Sequence, residues 1–106
     1  MPKKVTTHDP ALAALLSESE QEDYERAVTV LLARNALLEL IESVRESEHV
    51  SKQELADRAG LDAASVRRML TAKTANPTAE TALRLLAALK IKLVAEKPSG
   101  DRVAIV

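Results

Sequence analysis

The chain has 106 residues, enough for one domain, of which 46% are hydrophobic and 29% are charged, as in ordinary globular proteins. It contains no cysteine, which excludes disulfides, zinc ribbons, iron–sulfur clusters and cysteine nucleophiles. Two glycines are too few for phosphate-cradling loops, and the single aromatic residue, Tyr24, excludes a base-stacking platform. No stretch resembles a membrane span or a signal peptide, so we expect a cytoplasmic protein.

The charges are unevenly distributed along the chain, although the formal net charge is only −1. Residues 1–50 carry 10 acidic against 5 basic residues, a balance of −5, whereas residues 51–95 carry 8 basic against 4 acidic residues, a balance of +4. This asymmetry indicates a basic surface for an anionic partner and an acidic surface for a different one. The alternative is that both are solvated helix faces, and charge alone does not decide between the two.

The N-terminal half is predicted to be helical behind a short tail. Residues 1–8 lack periodicity and are predicted to form a flexible tail. Asp9 followed by Pro10 is typical of a helix start, which indicates a short helix over residues 11–16. We treat residues 9–50 as an N-terminal acidic helical segment.

A longer helical segment follows over residues 19–48. Ser19 and Glu22 match a capping box, and apolar residues recur at helical spacing beyond them. No glycine or proline interrupts the segment, so it forms one long helix or two that abut, with Asn35 as the expected break. Its acidic start, residues 18–25, either complements the positive end of the helix dipole or docks a basic protein partner.

Three shorter helices are predicted next, each behind a capping side chain: Ser51 before residues 52–59, Asp62 before residues 63–72, and Thr78 before residues 79–90. Gly60 ends the first of them. The buried stripe of the last is predicted to contain Ala82, Leu83, Leu86 and either Leu89 or Ala87.

The apolar period changes from helical to alternating at Ile91. Alternation over residues 91–96 predicts a strand, residues 97–101 a turn, and residues 102–106 a second strand. A lone hairpin is only marginally stable in water. We therefore expect the C-terminal element, residues 91–106, either to pair with a second copy of the chain or to pack on its own helices.

Residues 51–70 have the spacing of a helix-turn-helix, in which two short helices cross steeply. Such a crossing needs apolar anchors, small residues at the closest approach, and a turn residue that tolerates positive φ. The predicted motif core meets these requirements at seven positions: Leu55, Ala56, Ala59, Gly60, Leu61, Val66 and Met69. The sequence thus predicts a mainly α fold, a five-helix-type bundle that contains a helix-turn-helix and ends in a short β-hairpin or dimerising strands.

The segment SKQELADRAGLDAASVRRML resembles the DNA-binding helix-turn-helix of Cro/CI-type (XRE) repressors, and the resemblance covers about residues 51–95. The stretches NPTAETALRLLAALKIKL and DPALAALLSESEQEDYERA are similar to parts of HigA-type antitoxins, which pair with RelE-like toxins. The resemblance implies a sequence-specific repressor that neutralises a basic RelE/HigB-like toxin and represses its own operon. The chain departs from the family pattern at Lys52, Ala63, Ala64 and Leu70, which leaves the target sequence open.

The family resemblance places double-stranded operator DNA on residues 51–90, the helix-turn-helix DNA-binding region. The second motif helix enters the major groove, which puts Ala63, Ala64 and Arg67 on the side that faces DNA. Arg67 can contact guanine bidentately, and Arg68 can do the same or hold a phosphate. Backbone contacts are expected at helix starts and in the following loop, at Lys52, Gln53, Ser65, Lys73, Thr74 and Asn76. Such repressors read two half-sites, so a homodimer is expected.

Nothing in the sequence predicts catalysis, a cofactor or a metal site. His8 and His49 have no partner at ligand spacing, and no serine stands in a nucleophile-elbow context. We therefore expect a binding protein and not an enzyme. Two alternatives stay open: a stand-alone XRE-family transcriptional regulator, and a protein–protein adaptor in which the helix-turn-helix is only a packing solution.

Overall fold

The computed structural model describes residues 17–72 and 75–106 of the chain. Within these ranges four helices precede a two-stranded sheet: α1 Glu18–Ser47, α2 Lys52–Ala59, α3 Ala63–Thr71, α4 Ala79–Ala88, β1 Val94–Glu96 and β2 Arg102–Ala104. The mainly helical class and the C-terminal hairpin are confirmed. The expected tail and the helix over residues 11–16, the fifth of the bundle, lie outside the described residues. None of the described helices is long and apolar enough to cross a membrane.

The described part of the chain divides into two units, with the boundary between residues 36 and 37. The described part of the first unit, residues 17–36, is the N-terminal portion of α1. The second unit contains the remainder of α1, the three short helices and the hairpin. Of the two arrangements predicted for residues 19–48, the structure has the single long helix. It does not break at Asn35, because asparagine lowers helix stability only modestly.

The start of α1 differs from the prediction. The hydroxyl oxygen of Ser17, not that of Ser19, accepts a hydrogen bond from the backbone N–H of Glu20, at 3.2 Å. The predicted cap at Ser19 is therefore wrong. Ser17 with Glu20 and Ser19 with Glu22 match the same capping pattern, so the pattern alone cannot rank them.

The three short helices begin where their capping side chains predict. In each case the cap accepts a hydrogen bond from the backbone N–H three residues on: Ser51 from Glu54 at 3.0 Å, Asp62 from Ser65 at 3.0 Å, and Thr78 from Thr81 at 3.2 Å. These bonds satisfy N–H groups that have no partner inside the helix. Local chemistry therefore fixes all three helix starts.

Two helices end at left-handed residues that are not glycine. His49 follows α1 with φ 55°, and Lys90 follows α4 with φ 58°. In both cases the next N–H donates to a carbonyl five positions back: Val50 to Arg45 at 3.0 Å, and Ile91 to Leu86 at 2.9 Å. This Schellman pattern satisfies the last carbonyls of the helix, but it places a side chain in a conformation that favours glycine.

The core of the second unit lies among α2, α3, α4 and the C-terminal part of α1. Its largest fully buried side chains are Ile41, Leu55, Val66, Leu85 and Leu86. Every short helix and α1 thus contributes at least one fully buried aliphatic side chain. Burial of such side chains is the main favourable term in folding, worth about 1.5–3 kcal/mol for each.

The buried stripe of α4 differs in part from its prediction. Ala82, Leu85, Leu86 and Leu89 are buried, at successive spacings of three, one and three residues along the helix. Leu83 is only half-buried, and Ala87 is exposed. Leu85 was missing from the prediction, and the alternative at Ala87 is wrong, because positions 82, 85, 86 and 89 form one face of the helix, and positions 83 and 87 lie to one side of it.

Arg45 forms an ion pair within α1 and also joins the end of that helix to the loop before α2. Arg45 Nε donates to Glu42 Oε2 at 3.0 Å, and Arg45 Nη1 donates to the carbonyl of Val50 at 2.8 Å. The hydrogen bond from Arg45 lowers the pKa of the Glu42 carboxyl, and the same bond raises the pKa of Arg45. The pair is mostly shielded from solvent, with side-chain exposures of 13% and 25%.

The hairpin pairs β1 and β2 antiparallel, with Val94 opposite Ala104 and Glu96 opposite Arg102. Pairing extends to Leu93, whose carbonyl accepts from the N–H of Ile105 at 2.8 Å. Both strands are shorter than predicted, and every residue in them is exposed. Only the approach to the hairpin, at Ile91 and Leu93, packs against the core.

Candidate nucleic-acid interface

A tight turn at Gly60 sets the crossing of α2 and α3. Gly60 has φ 68°, and the N–H of Leu61 donates to the carbonyl of Ala56 at 2.9 Å. Arg84 of α4 donates from Nη1 to the carbonyl of Ala59 at 3.3 Å. The same Nη1 lies 3.3 Å from the place where a Cβ at Gly60 would stand. The turn therefore has both a conformational and a steric reason to contain glycine.

The structure places the predicted motif core at this crossing. Leu55, Ala56 and Val66 are fully buried, and Ala59 is 6% exposed. Leu61 and Met69 are half-buried and pack against the core, while Gly60 lies exposed in the turn. The apolar anchors and small residues thus hold one face of α3 against the rest of the unit.

The opposite face of α3 is directed to solvent. Helical spacing aligns Ala64, Arg67, Arg68 and Thr71 along it, and the last three are exposed. Ala63 was expected on this face, but it is half-buried and packs against the core. Thr71 was not among the predicted site residues, although its spacing of four from Arg67 is the signal that would have included it. Its hydroxyl donates to the Arg67 carbonyl at 2.7 Å.

The two arginines of this face have different surroundings. Arg68 Nη2 lies 3.3 Å from Ser65 Oγ, and that hydroxyl lies 3.0 Å from Asp62 Oδ2. In the described parts of the chain, the guanidinium of Arg67 takes part in no hydrogen bond or ion pair. Hydrogen bonds from the backbone and side chain of Ser65 lower the pKa of the Asp62 carboxyl, and the positive charges of Arg68 and Arg67 lower it further.

The remaining predicted residues lie around α3 with varied exposure. Lys52 is half-buried at the start of α2, and exposed Gln53 donates to Asp57 Oδ1 at 3.1 Å. Exposed Asn76 lines a cleft of about 210 Å³ beside α3, together with Ser65 and Arg68. Lys73 and Thr74 lie outside the described residues.

Two short helices joined at a glycine turn, with the second presenting arginines to solvent, form a helix-turn-helix, the motif whose second helix enters the major groove in many DNA-binding proteins. A helix-turn-helix family model (HTH_3) matches residues 41–95, more than half of the chain. The chain belongs to this Cro/CI-type (XRE) helix-turn-helix family, which confirms that part of the resemblance. It is accordingly a DNA-binding transcriptional regulator of XRE type, with double-stranded DNA as its partner. No curated protein and no solved structure matches it.

Proposed function

We propose that this regulator is a sequence-specific repressor that reads operator DNA with the exposed face of α3. The observation that carries the proposal is the pair of opposite faces on that helix. Val66 anchors one face in the core, while Arg67 and Arg68 are exposed on the face that also carries Ala64 and Thr71. Among the described residues, the Arg67 guanidinium has no hydrogen-bond or ion-pair partner. An arginine in this position can donate two hydrogen bonds to guanine O6 and N7, and the Ala64 methyl can pack on a thymine methyl.

Contacts to the DNA backbone are proposed around that helix. Lys52 and Gln53 stand at the start of α2, where side chains and N–H groups meet phosphates in this class of fold. Ser65, Arg68 and Asn76 line the cleft beside α3, and Ala63 stands at the first turn of that helix. Lys73 and Thr74 complete the proposed set on sequence grounds. These contacts orient the protein on the duplex, and they supply most of the dependence of binding on salt.

A homodimer is proposed on the basis of the hairpin. Val94, Val103, Ile105 and Val106 are large apolar side chains with at least 40% exposure, on a sheet of only two strands. A two-stranded sheet is marginal in water, and a second copy that pairs along one strand edge would extend the sheet and cover part of this apolar surface. A dimer would also place two α3 helices on half-sites about one helical turn of DNA apart. Val103→Lys is expected to shift the species seen by analytical ultracentrifugation from dimer to monomer, and an unchanged distribution contradicts this interface.

We further propose that the repressor is the antitoxin of a toxin–antitoxin pair, with a small basic RelE-like toxin bound through the N-terminal portion of α1. That portion exposes the acidic side chains Glu18, Glu20, Glu22 and Asp23, with Glu25 half-buried beside them, and also the apolar Val30, Leu31 and Leu32. Acidic and apolar groups together suit a basic protein surface. A reading frame for such a protein next to this gene, and rescue of cell growth when both are expressed, would support the antitoxin. A stand-alone regulator is the alternative if growth is unaffected.

The repressor itself is tested by fluorescence anisotropy with two labelled duplexes. One is enriched from a randomised library by the wild-type chain, and the other is its scrambled counterpart. A specific repressor is expected to prefer the enriched duplex by about 10³-fold or more, with affinity falling as salt rises. Arg67→Ala is expected to reduce this preference, whereas Arg26→Ala, an equal loss of charge on α1, is the matched control. Equal weak binding of both duplexes would contradict a sequence-specific repressor.

A further inference from the structure

The outer edge of β1 presents backbone groups that β2 does not pair. In an antiparallel pair of strands, directly opposed residues alternate between those that exchange hydrogen bonds and those that exchange none. The N–H of Ile105 donates to the carbonyl of Leu93 at 2.8 Å, so this pair is of the bonded kind. The next pair, Val94 opposite Ala104, and the pair that contains Glu96 therefore belong to the unbonded kind. Val94 and Glu96 accordingly direct their N–H and C=O groups away from β2, toward the edge of the sheet.

The side chains along this edge have opposite charges on either side of a valine. Lys92, Val94 and Glu96 stand at alternate positions, so they lie on one face of the strand. All three are exposed, Val94 at 51%, whereas Ile91 and Leu93, which alternate with them, pack against the core. A lysine, a valine and a glutamate in this order are complementary to the same three residues taken in the opposite direction.

Two copies of β1 placed antiparallel, with Val94 opposite Val94, satisfy both the backbone and the charges. Lys92 of each copy then stands opposite Glu96 of the other, where cross-strand ion pairs are favourable. The opposed residues belong to the alternation whose backbone groups face outward, so each pair can also exchange two hydrogen bonds. A register moved by two residues leaves Lys92 and Glu96 without an opposite charge on the second β1, and a register moved by four opposes like charges. Hydrogen bonds and charges thus select the same register.

The outer edge of β2 does not offer the same complementarity. Its outward-directed residues within the strand are Arg102 and Ala104, which carry one positive charge and no negative charge. Self-pairing along β2 therefore gains no ion pair in any register. Pairing along β1 also leaves the contact between Arg102 Nε and Glu96 Oε1, at 3.9 Å, inside each hairpin.

We infer that two copies of the chain join β1 to β1 across a two-fold axis at Val94, with Lys92 of each copy paired to Glu96 of the other. The inference rests on the proposed homodimer and specifies the surface through which it forms. The interface is isologous, as a two-fold dimer requires, and the sheet becomes four-stranded. Since the paired strands run antiparallel and α4 precedes β1 in each copy, the helices of the two copies lie at opposite ends of the paired strands.

The same register covers part of the apolar side of the sheet. Leu93 of one copy stands beside Ala95 of the other, on the face that is directed to the core. Ala95 is in turn opposite Val103 within its own hairpin. Val103 is thus one strand away from the second copy, which is why its replacement by lysine is expected to disturb the same dimer.

Charge reversal on β1 tests this register without DNA. Lys92→Glu is expected to raise the Kd of the dimer about tenfold or more, because two attractive cross-strand pairs become two repulsive ones. Glu96→Lys should weaken the dimer likewise, and it also removes the contact with Arg102 of its own hairpin. An equimolar mixture of the two variants should restore the dimer, since each β1 then faces the opposite charges. Sedimentation velocity at low salt measures the Kd values, and native mass spectrometry with one variant labelled with nitrogen-15 counts the mixed dimers.

Arg26→Glu on α1 and Asp101→Lys beside the hairpin turn are the matched controls, because both residues are exposed and the changes of charge are equal. Both should leave the Kd near its wild-type value, and circular dichroism should show that every variant keeps its helices. Mixed dimers well above the statistical proportion support the register. A wild-type dimer that Lys92→Glu does not weaken, or variants that mix only in the statistical proportion, would overturn the register and leave the proposed homodimer standing. A monomeric wild type would overturn the homodimer and the register together, whereas the anisotropy assay tests DNA binding independently.

Discussion

Gly60→Ala is expected to weaken the helix-turn-helix at its turn. An alanine would need φ 68°, a left-handed conformation that costs a residue with a Cβ about 1–2 kcal/mol. Its methyl group would also stand 3.3 Å from Arg84 Nη1, closer than most Cβ contacts. Because Nη1 is the far end of a flexible, half-exposed side chain, Arg84 can move away. The movement would remove its bond to the Ala59 carbonyl, worth about 0.5–1 kcal/mol.

The same substitution also changes the conformational entropy of the unfolded chain, and this effect has the opposite sign. Alanine has fewer unfolded conformations than glycine, which offsets about 0.4–1 kcal/mol of the loss. The net decrease in the free energy of unfolding is therefore about 1–2 kcal/mol. In an Arg84→Ala background the contact between the added methyl group and Arg84 Nη1 no longer exists. There, Gly60→Ala should lower the free energy of unfolding only through the strained backbone of residue 60.

Urea unfolding followed by circular dichroism at the helical band measures this difference. Gly100→Ala is the matched control: Gly100 also has positive φ, 94°, but no atom lies within 4 Å of the added Cβ. The control lies in the hairpin turn, outside the core, so it should leave the unfolding of the helices nearly unchanged. If Gly60→Ala unfolds at the wild-type urea concentration with the same slope, the left-handed turn does not constrain this residue and the reasoning is refuted.

His49→Gly and Lys90→Gly are each expected to stabilise the chain by about 0.5–1 kcal/mol, because both residues have positive φ; an unchanged Tm would contradict this. Leu85→Ala should destabilise it by about 2–5 kcal/mol in urea unfolding, and exposed Ala87→Ser by less than about 0.5 kcal/mol. Arg45 lowers the pKa of Glu42, so the stabilisation by Glu42 is present at neutral pH and is lost as pH falls through that lowered value. Glu42→Gln should therefore lose less stability on acidification than the wild type. If the free energy of unfolding falls with pH equally in both proteins, Glu42 is not responsible for this loss.

Local chemistry made the helix-turn-helix predictable. The caps at Ser51, Asp62 and Thr78 each satisfy N–H groups within the next turn, so their effect depends on few distant residues. Gly60 was predictable for the same reason, since positive φ is a property of one residue.

Features that depend on tertiary contacts were harder to predict. The choice between Leu89 and Ala87 depends on which way α4 is rotated against its neighbours, and so does the burial of Leu85, which the prediction omitted. Ala63 likewise packs on the core although its position in the motif predicts an exposed face. Ser17 and Ser19 have equivalent capping patterns, so spacing alone could not show which of them caps α1. The different surroundings of Arg67 and Arg68 arise from side-chain rotamers, which sequence spacing does not specify.

The core of the second unit ends at Leu93, so the residues beyond Leu93 contribute little to the stability of that unit. None of the buried or half-buried side chains that form the core lies beyond that residue. Amide hydrogens of β1 and β2 should thus exchange with solvent through local opening, at a lower free energy than those of α2 and α4. Substitutions in the hairpin should therefore change the free energy of unfolding of the helices only slightly. A change in the proposed pairing of copies through the hairpin can therefore arise without any change in the helix that is proposed to read DNA.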